Sequence, residues 1–528
     1  MKTYKIYTGL LAAALCWTAC EPEFDNPIED RGMQSSGTAD FSNYVAVGNS
    51  LTAGLADNSL YIDGQLASFA NILATQMKFA GGGEFTIPLA TSNAGGLTIN
   101  GMTPIDSCTN RPRFPIRTVL GLPDGATSPA PVPYAQGGAP SEVLQGPKGP
   151  FNNMGVPGAT VGQLLFEGLG NPAGLAAVPP TANPYFIRMA SSPDASILGD
   201  AVSQNPTFFS LWIGNNDLLG YAAGGGTVKT VENPCLGDPL TPTDLFAGAY
   251  QRVANILSKE GTVKGVLINI PDITSIPFFT TVPNNALVLD AEQAAQLTQI
   301  FGAIARIARG SLLAGGASEE QATQVASQYA ITFNAGPNRW IIDVPASPAT
   351  NPFGFRQMTE DELVLLTIDQ TRLRTEMYGS FAATPQILQV LGKLGAGGQP
   401  TPEEVGILVS GVNGLDDKDV LDATELEEIK TAQTSYNETI QGVADQLDLA
   451  LYDAQRDLAR AADTGVPIDG AILTTEFATG GVFSLDGVHL TPRGNAFVAN
   501  GVIRAINAKY GAQLTEVSPG TFTSVTVR

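Results

Sequence analysis

The chain has 528 residues, more than a minimal domain needs and enough for two to four domains or one elaborated α/β domain. Only 15% of its residues are charged while 58 are Gly and 36 Pro, a balance that points to long ordered loops and away from a charged helical array. Lys and Arg number 28 against 50 Asp and Glu, a net charge of −22, which argues against a basic groove that tracks phosphates and against a nucleic-acid partner.

The first stretch, MKTYKIYTGLLAAALCWTAC, places Lys2 and Lys5 before an apolar run and small residues before Cys20. That is a secretory signal layout, too short to span a bilayer as a stable helix. Its ending, CWTAC, resembles a bacterial lipobox, although Trp17 stands where Leu is commonest. The resemblance implies a lipoprotein signal peptide over 1–19, lipidation of Cys20, and a lipid-anchored outer-membrane location in the cell envelope. Residues 20–40 are acidic and polar without periodicity, which suits a flexible tether. No later run is long and apolar enough for a membrane span. With Cys16 lost with the signal and Cys20 lipidated, Cys108 and Cys235 remain, either as one disulfide, the expectation favoured here, or as two free thiols. Two cysteines and one histidine leave no expectation of a zinc site.

Four apolar runs have the character of buried parallel strands: 43–50 (NYVAVGNS), 207–217 (TFFSLWIGNND), 263–273 (VKGVLINIPDI) and 447–455 (LDLALYDAQ). Helical spacing falls between them, as in TDLFAGAYQRVANILSKEG, so the fold class is α/β with a parallel sheet covered on both faces. Residues 80–150 form a loop-rich excursion of the kind that carries function or folds as a lid. Residues from about 275 to 445 look mostly helical and are expected to be a large helical insertion; the last of these helices opens with a capping box, Asp422 with Glu425. The acids of LDDKDVLDATE lack EF-hand spacing and read as a solvated turn. There is no internal repeat.

The chain's only histidine is His489, in LDGVHLTPRG, three residues after Asp486. An acid at that distance can orient the ring across a turn, though D-x-x-H alone is common in turns that do no chemistry. Ser50 follows the first buried run at a Gly-containing turn that leads into a helical pattern, where its hydroxyl meets the sheet's carboxyl edge and a helix N-terminus favours negative charge. Its ordinary alternative is an N-cap. WIGNNDLLG ends a strand with Asn216, whose amide can donate into the same edge. NNMGVPGATVGQLL is a Gly-rich turn that offers the Gly158 N–H.

Taken together, G-N-S-L at 48–51, N-x-G and G-A-T within 153–160, G-x-N-D at 214–217 and D-x-x-H-x-T-P-x-G at 486–494 resemble the SGNH (GDSL-type) hydrolase superfamily. The resemblance covers motifs from residue 44 to 497 but neither the excursion nor the insertion. It implies a flavodoxin-like, three-layer α/β/α domain over 41–515, with Ser50, Asp486 and His489 as a catalytic triad. The oxyanion hole would be formed by Ser50, Gly158 and Asn216. One departure is Asn49, where the family has Asp; that Asp is not a triad member, and Asn keeps its size and much of its hydrogen bonding.

The implied chemistry is ester hydrolysis without a cofactor or metal: His489 takes the Ser50 proton, an acyl-enzyme forms, and water repeats the sequence. Activity is then expected to fall as pH drops through roughly 6–7, because the imidazole must be neutral. The expected partners are an acyl ester substrate, lipid or acylated glycan, and a membrane through the N-terminal lipid. An insertion apolar on one face, and tryptophans only at 17, 212 and 340, favour lipid or generic acyl esters over O-acetylated carbohydrate. A surface lipoprotein that only binds, on the same fold, is the competing class. Oligomeric state has no signature in the sequence.

Overall fold

A computed structural model describes residues 34–527 except 124, 135 and 178. The expected signal peptide, Cys20 and the first part of the tether lie outside the described residues. Among the described residues no helix is long and apolar enough to cross a membrane.

Five parallel strands form the central sheet: β1 (Tyr44–Gly48), β2 (Asn153–Gly155), β3 (Phe208–Trp212), β4 (Lys264–Ile268) and β5 (Ala450–Tyr452). Their spatial order is β5-β4-β3-β1-β2, the doubly wound order 2-1-3-4-5, whose chain reversal lies between β1 and β3. The register sets Gly48 beside Gly155 on one side and Trp212 on the other, so these three strands end level at the carboxyl edge. Val45, Ala46, Val47, Phe208, Phe209 and Leu211 are wholly buried, which is why these runs are continuously apolar: helices cover both faces.

The helices include α1 (Ser50–Ala53), α2 (Phe69–Lys78), α3 (Ile197–Ser203), α4 (Asn216–Ala222), α5 (Thr243–Ser258), α6 (Ala291–Ala314), α7 (Glu319–Ser327), α8 (Pro385–Gly395), α9 (Pro402–Val409), α10 (Ala423–Gln446), α11 (Ala454–Asp463) and α12 (Pro492–Tyr510), with other short helical segments between. Helices α2, α11 and α12 pack together on one side of the sheet, and α3, α5 and α10 on the other. Strand, helix layer and loop are thus arranged as the alternating pattern predicts.

Four expectations change. β2 falls where the sequence predicts only a Gly-rich turn, because three residues with an Asn and a Gly carry no apolar run. The segment expected to be a helical insertion is α6–α9 combined with four two-stranded ladders, such as Ile341–Asp343 against Phe355–Gln357. Strands of two or three residues leave no period to detect. Its apolar residues, among them Phe301, Tyr329, Trp340 and Phe355, form a separate core of their own. α10 is not part of it; this helix belongs to the sheet layer, and its capping box forms, with Asp422 accepting from the Glu425 N–H and Glu425 from the Asp422 N–H. Finally, the last tether residues are docked: Thr38 N–H donates to Tyr510 O, Gln513 N–H to Ser35 O, and Phe41 is buried. The folded body also continues past 515, where Leu120 N–H donates to Thr526 O.

The excursion holds short ladders at Leu97–Thr98 with Ser141–Glu142 and Thr118–Gly121 with Ala130–Pro133. A disulfide joins Cys108 in this excursion to Cys235 in the loop between α4 and α5.

Candidate active site

β1 delivers the chain to the carboxyl edge at Gly48, where a Cβ would lie 2.4 Å from Trp212 O, so only glycine lets the strand end this close to β3. Asn49 then caps α1: its Oδ1 accepts from the Leu51 N–H at 3.0 Å, and its Nδ2 donates to Asn215 Oδ1 at 3.2 Å. The cap is therefore Asn49, and Ser50, the first helical residue, keeps its hydroxyl free for other work. The unusual Asn at this place uses both halves of its amide.

Ser50 Oγ lies 2.8 Å from His489 Nε2, and His489 Nδ1 lies 2.9 Å from Asp486 Oδ2. Residues 439 positions apart are thus brought into one hydrogen-bonded line. Ser50 is 7% exposed, so the hydroxyl is reached only from the pocket side.

The turn bearing the other two residues is closed by Ser484 N–H to His489 O at 2.7 Å. Asp486 Oδ1 accepts from the N–H groups of Val488 and His489, and Oδ2 accepts from His489 Nδ1 and the Asn58 N–H. Burial pushes the Asp486 carboxyl up, but the His489 charge and these four donors outweigh it and hold it well below the usual carboxylate range. It stays an acceptor and fixes the Nδ1–H tautomer, which leaves Nε2 free to take a proton from Ser50. The rest of the motif is scaffold: Thr491 caps α12, Pro492 is its first residue, and a Cβ on Gly494 would meet Val482 O at 2.2 Å. The root of the inserted segment braces the turn from outside, with Phe278 N–H donating to Gly487 O at 3.0 Å.

The two remaining candidates follow β2 and β3, the neighbours of β1. Gly158 sits at φ +80°, a conformation an L residue resists, and it is exposed. Among the described residues neither its N–H nor that of Ser50 donates a hydrogen bond to the protein. Asn216 Nδ2 donates to Ala159 O at 2.9 Å, which orients the amide and leaves its second hydrogen available. Asp217, present in the sequence motif but given no role there, ties the two turns together: Oδ2 accepts from the Val161 N–H at 3.0 Å and Oδ1 from Thr241 at 2.8 Å. Burial raises the Asp217 carboxyl to about 6 against those two donors. The arrangement can do nucleophilic acyl chemistry: a hydroxyl, a base to deprotonate it, and donors at the adjoining turns for developing negative charge.

Comparison of the chain with protein-family models, with curated proteins and with solved structures finds no match.

Two hollows adjoin these residues. Beside Ser50 and His489 is a cavity of about 40 Å³ whose walls include Trp212, Leu219, Ile276 and Phe483. On the Gly158 side runs an open groove of about 720 Å³ with Arg113, Phe114, Phe166, Asn183 and Tyr185. Cys108 and Cys235, expected as a possible disulfide, are bonded to each other and take no part in the Ser50 line.

Proposed function

We propose that the protein is a serine esterase of the SGNH (GDSL-type) hydrolase class, acting without a cofactor. The observation that carries this reading is the line Ser50 Oγ, His489 Nε2, His489 Nδ1, Asp486 Oδ2, with contacts of 2.8 and 2.9 Å, at the carboxyl edge of a 2-1-3-4-5 sheet. The four motifs and the strand order support membership in that superfamily. His489 removes the Ser50 proton as the oxygen attacks an ester carbonyl, and Asp486 stabilises the imidazolium. The oxyanion is received by the N–H groups of Ser50 and Gly158 and by the Asn216 amide. His489 then gives the proton to the departing alcohol, and water releases the acyl group.

The small cavity beside Ser50 favours a short acyl group. The inserted segment, expected to offer an apolar face to lipid, spends its apolar side chains on its own core. These two observations move the preference away from long-chain lipid. A carbohydrate O-acetyl esterase is the second reading, favoured by the aromatic and amide lining of the Gly158-side groove. Fluorophosphonate labelling and a panel of esters from acetyl to long acyl test both, with Ser50→Ala as control. Labelling absent from the native chain, or equal in Ser50→Ala, would leave only a binding role.

A further inference from the structure

Behind the catalytic turn stands a second one that the triad chemistry does not account for. Residues 56–59 close on themselves, with Ala56 N–H to Ser59 O at 3.1 Å and Ser59 N–H to Ala56 O at 2.9 Å. Both central residues, Asp57 at φ +54° and Asn58 at φ +67°, are left-handed. Asp and Asn are among the few side chains that tolerate this conformation, so the turn can place a carboxylate here at little backbone cost.

Its contacts say what it holds. Asp57 N–H donates to Ser484 Oγ at 2.9 Å, and Leu485 N–H returns to Asp57 Oδ1 at 3.1 Å. The next N–H, that of Asn58, is the one that reaches Asp486 Oδ2. Three hydrogen bonds therefore lace this turn to residues 484–486. On its other side Asp57 Oδ2 accepts from Tyr61 Oη at 3.1 Å. The buried Arg117 guanidinium lies 4.3 Å from the Tyr61 ring centre and 4.6 Å from that of Tyr134. The charged and titratable groups facing Asp57 are thus Asp486, with His489 beyond it, on the catalytic turn, Tyr61 just before the short helix Ile62–Leu66, and Arg117 and Tyr134 in the excursion.

We propose that Asp57 is a positioning residue for the triad, which holds the Asp486–His489 turn from behind and adds a second negative charge to it. It touches no reacting atom and acts through Asp486. The inference rests on the esterase reading. Burial, chiefly, raises the Asp57 carboxyl to about 6; the Leu485 N–H opposes this, the Asp486 charge adds to it, and Tyr61 and Arg117 oppose it. Asp57 is then ionised at pH 8 and loses its charge at the acid end, where activity is expected to be falling.

The test uses the full chain purified without a polyhistidine tag, so that its single imidazole is His489. Two readouts are taken across pH 5–9: 4-nitrophenyl acetate turnover, and the His489 proton resonances by NMR. Asp57→Asn keeps an acceptor for Leu485 but removes the charge, so His489 becomes a weaker base. The expected result is a plateau kcat lower by about twofold, with the acid limb and the His489 titration both moved down by about half a pH unit. Arg117→Gln removes the opposing charge and is expected to move both up. A merely structural disturbance would not shift the two variants in opposite directions. If both variants fold and leave the titration and the pH profile of the native chain unmoved, the proposal is wrong. A native chain without Ser50-dependent hydrolysis, but with the opposite titration shifts, would sink the esterase reading while the coupling of Asp57 to His489 stands.

Discussion

Replacing Asp486 by Asn changes one atom pair in a buried ring of donors, and the structure says why no orientation of the new amide is acceptable. The carboxylate receives four hydrogen bonds, two at Oδ1 from the Val488 and His489 N–H groups and two at Oδ2 from His489 Nδ1 and the Asn58 N–H. If the amide oxygen takes the Oδ1 place, its NH2 faces the Asn58 N–H and the ring. His489 must then turn its proton to Nε2, where it can no longer accept from Ser50. If the amide flips, two backbone donors face the NH2 instead. A wrong tautomer of this kind costs about 10⁴ in kcat in triads of this design, equivalent to about 5.5 kcal/mol of transition-state stabilisation. The unpaired buried donor costs about 1–3 kcal/mol of stability, a melting point lower by a few degrees. Steady-state hydrolysis of a short-chain aryl ester at pH 8, with thermal melts on the same samples, measures both. KM should change little, and fluorophosphonate labelling should slow in proportion to kcat. A fall of less than tenfold in a folded variant would mean that Asp486 does not set the tautomer of His489.

Asn216→Ala removes one oxyanion donor and should lower kcat by about 10²–10³, while the melt shifts little because one bond to Ala159 is all the fold loses. Activity and stability should run in opposite directions between pH 8 and pH 5. Burial raises the folded carboxyls of Asp57 and Asp217 to about 6 and that of Glu425 to about 8, all above their unfolded values. Folding is penalised in full while these groups are ionised and relieved as they take up protons, so the melting temperature should rise by several degrees as hydrolysis falls. Below about pH 4 the depressed Asp486 reverses the trend, because its favourable pairing is lost on protonation. A melt that drops steadily from pH 8 to 5 would contradict the assigned shifts. Modification of a single imidazole by diethyl pyrocarbonate should abolish turnover, with hydroxylamine restoring it, since His489 is the chain's one histidine.

Four of the five sheet strands were legible because burial on both faces forces an unbroken apolar run. β2 was not, because a three-residue edge strand of Asn, Met and Gly is held by register with β1 and by Asn153, which donates to Thr52 O and accepts from the Gly155 N–H. The capping box at Asp422 was legible because its bonds span three residues. The helices of the inserted segment were legible, but its ladders were not, because they are pairs of short strands brought together from distant positions, such as Leu363–Val364 with Val420–Leu421. At the site, Ser50, Asp486 and His489 stand in recognisable local patterns. Asp57 and Asn58 do not: their part depends on backbone N–H groups and left-handed dihedrals, which leave no residue-type signature. Asp217 was in plain view within G-x-N-D, and a buried carboxylate next to a donor Asn is the signal that could have given it a role.

The line from Ser50 to His489 closes a loop of 439 positions, and that has a meaning for the making of the protein. During synthesis Ser50 emerges long before His489, with 439 positions of chain between them. Any partial product, and any fragment cut short before residue 489, carries Ser50 without its imidazole partner. The hydrogen-bonded line is therefore a property of the finished fold, absent from any chain in which β1 and the 484–491 turn have not yet met.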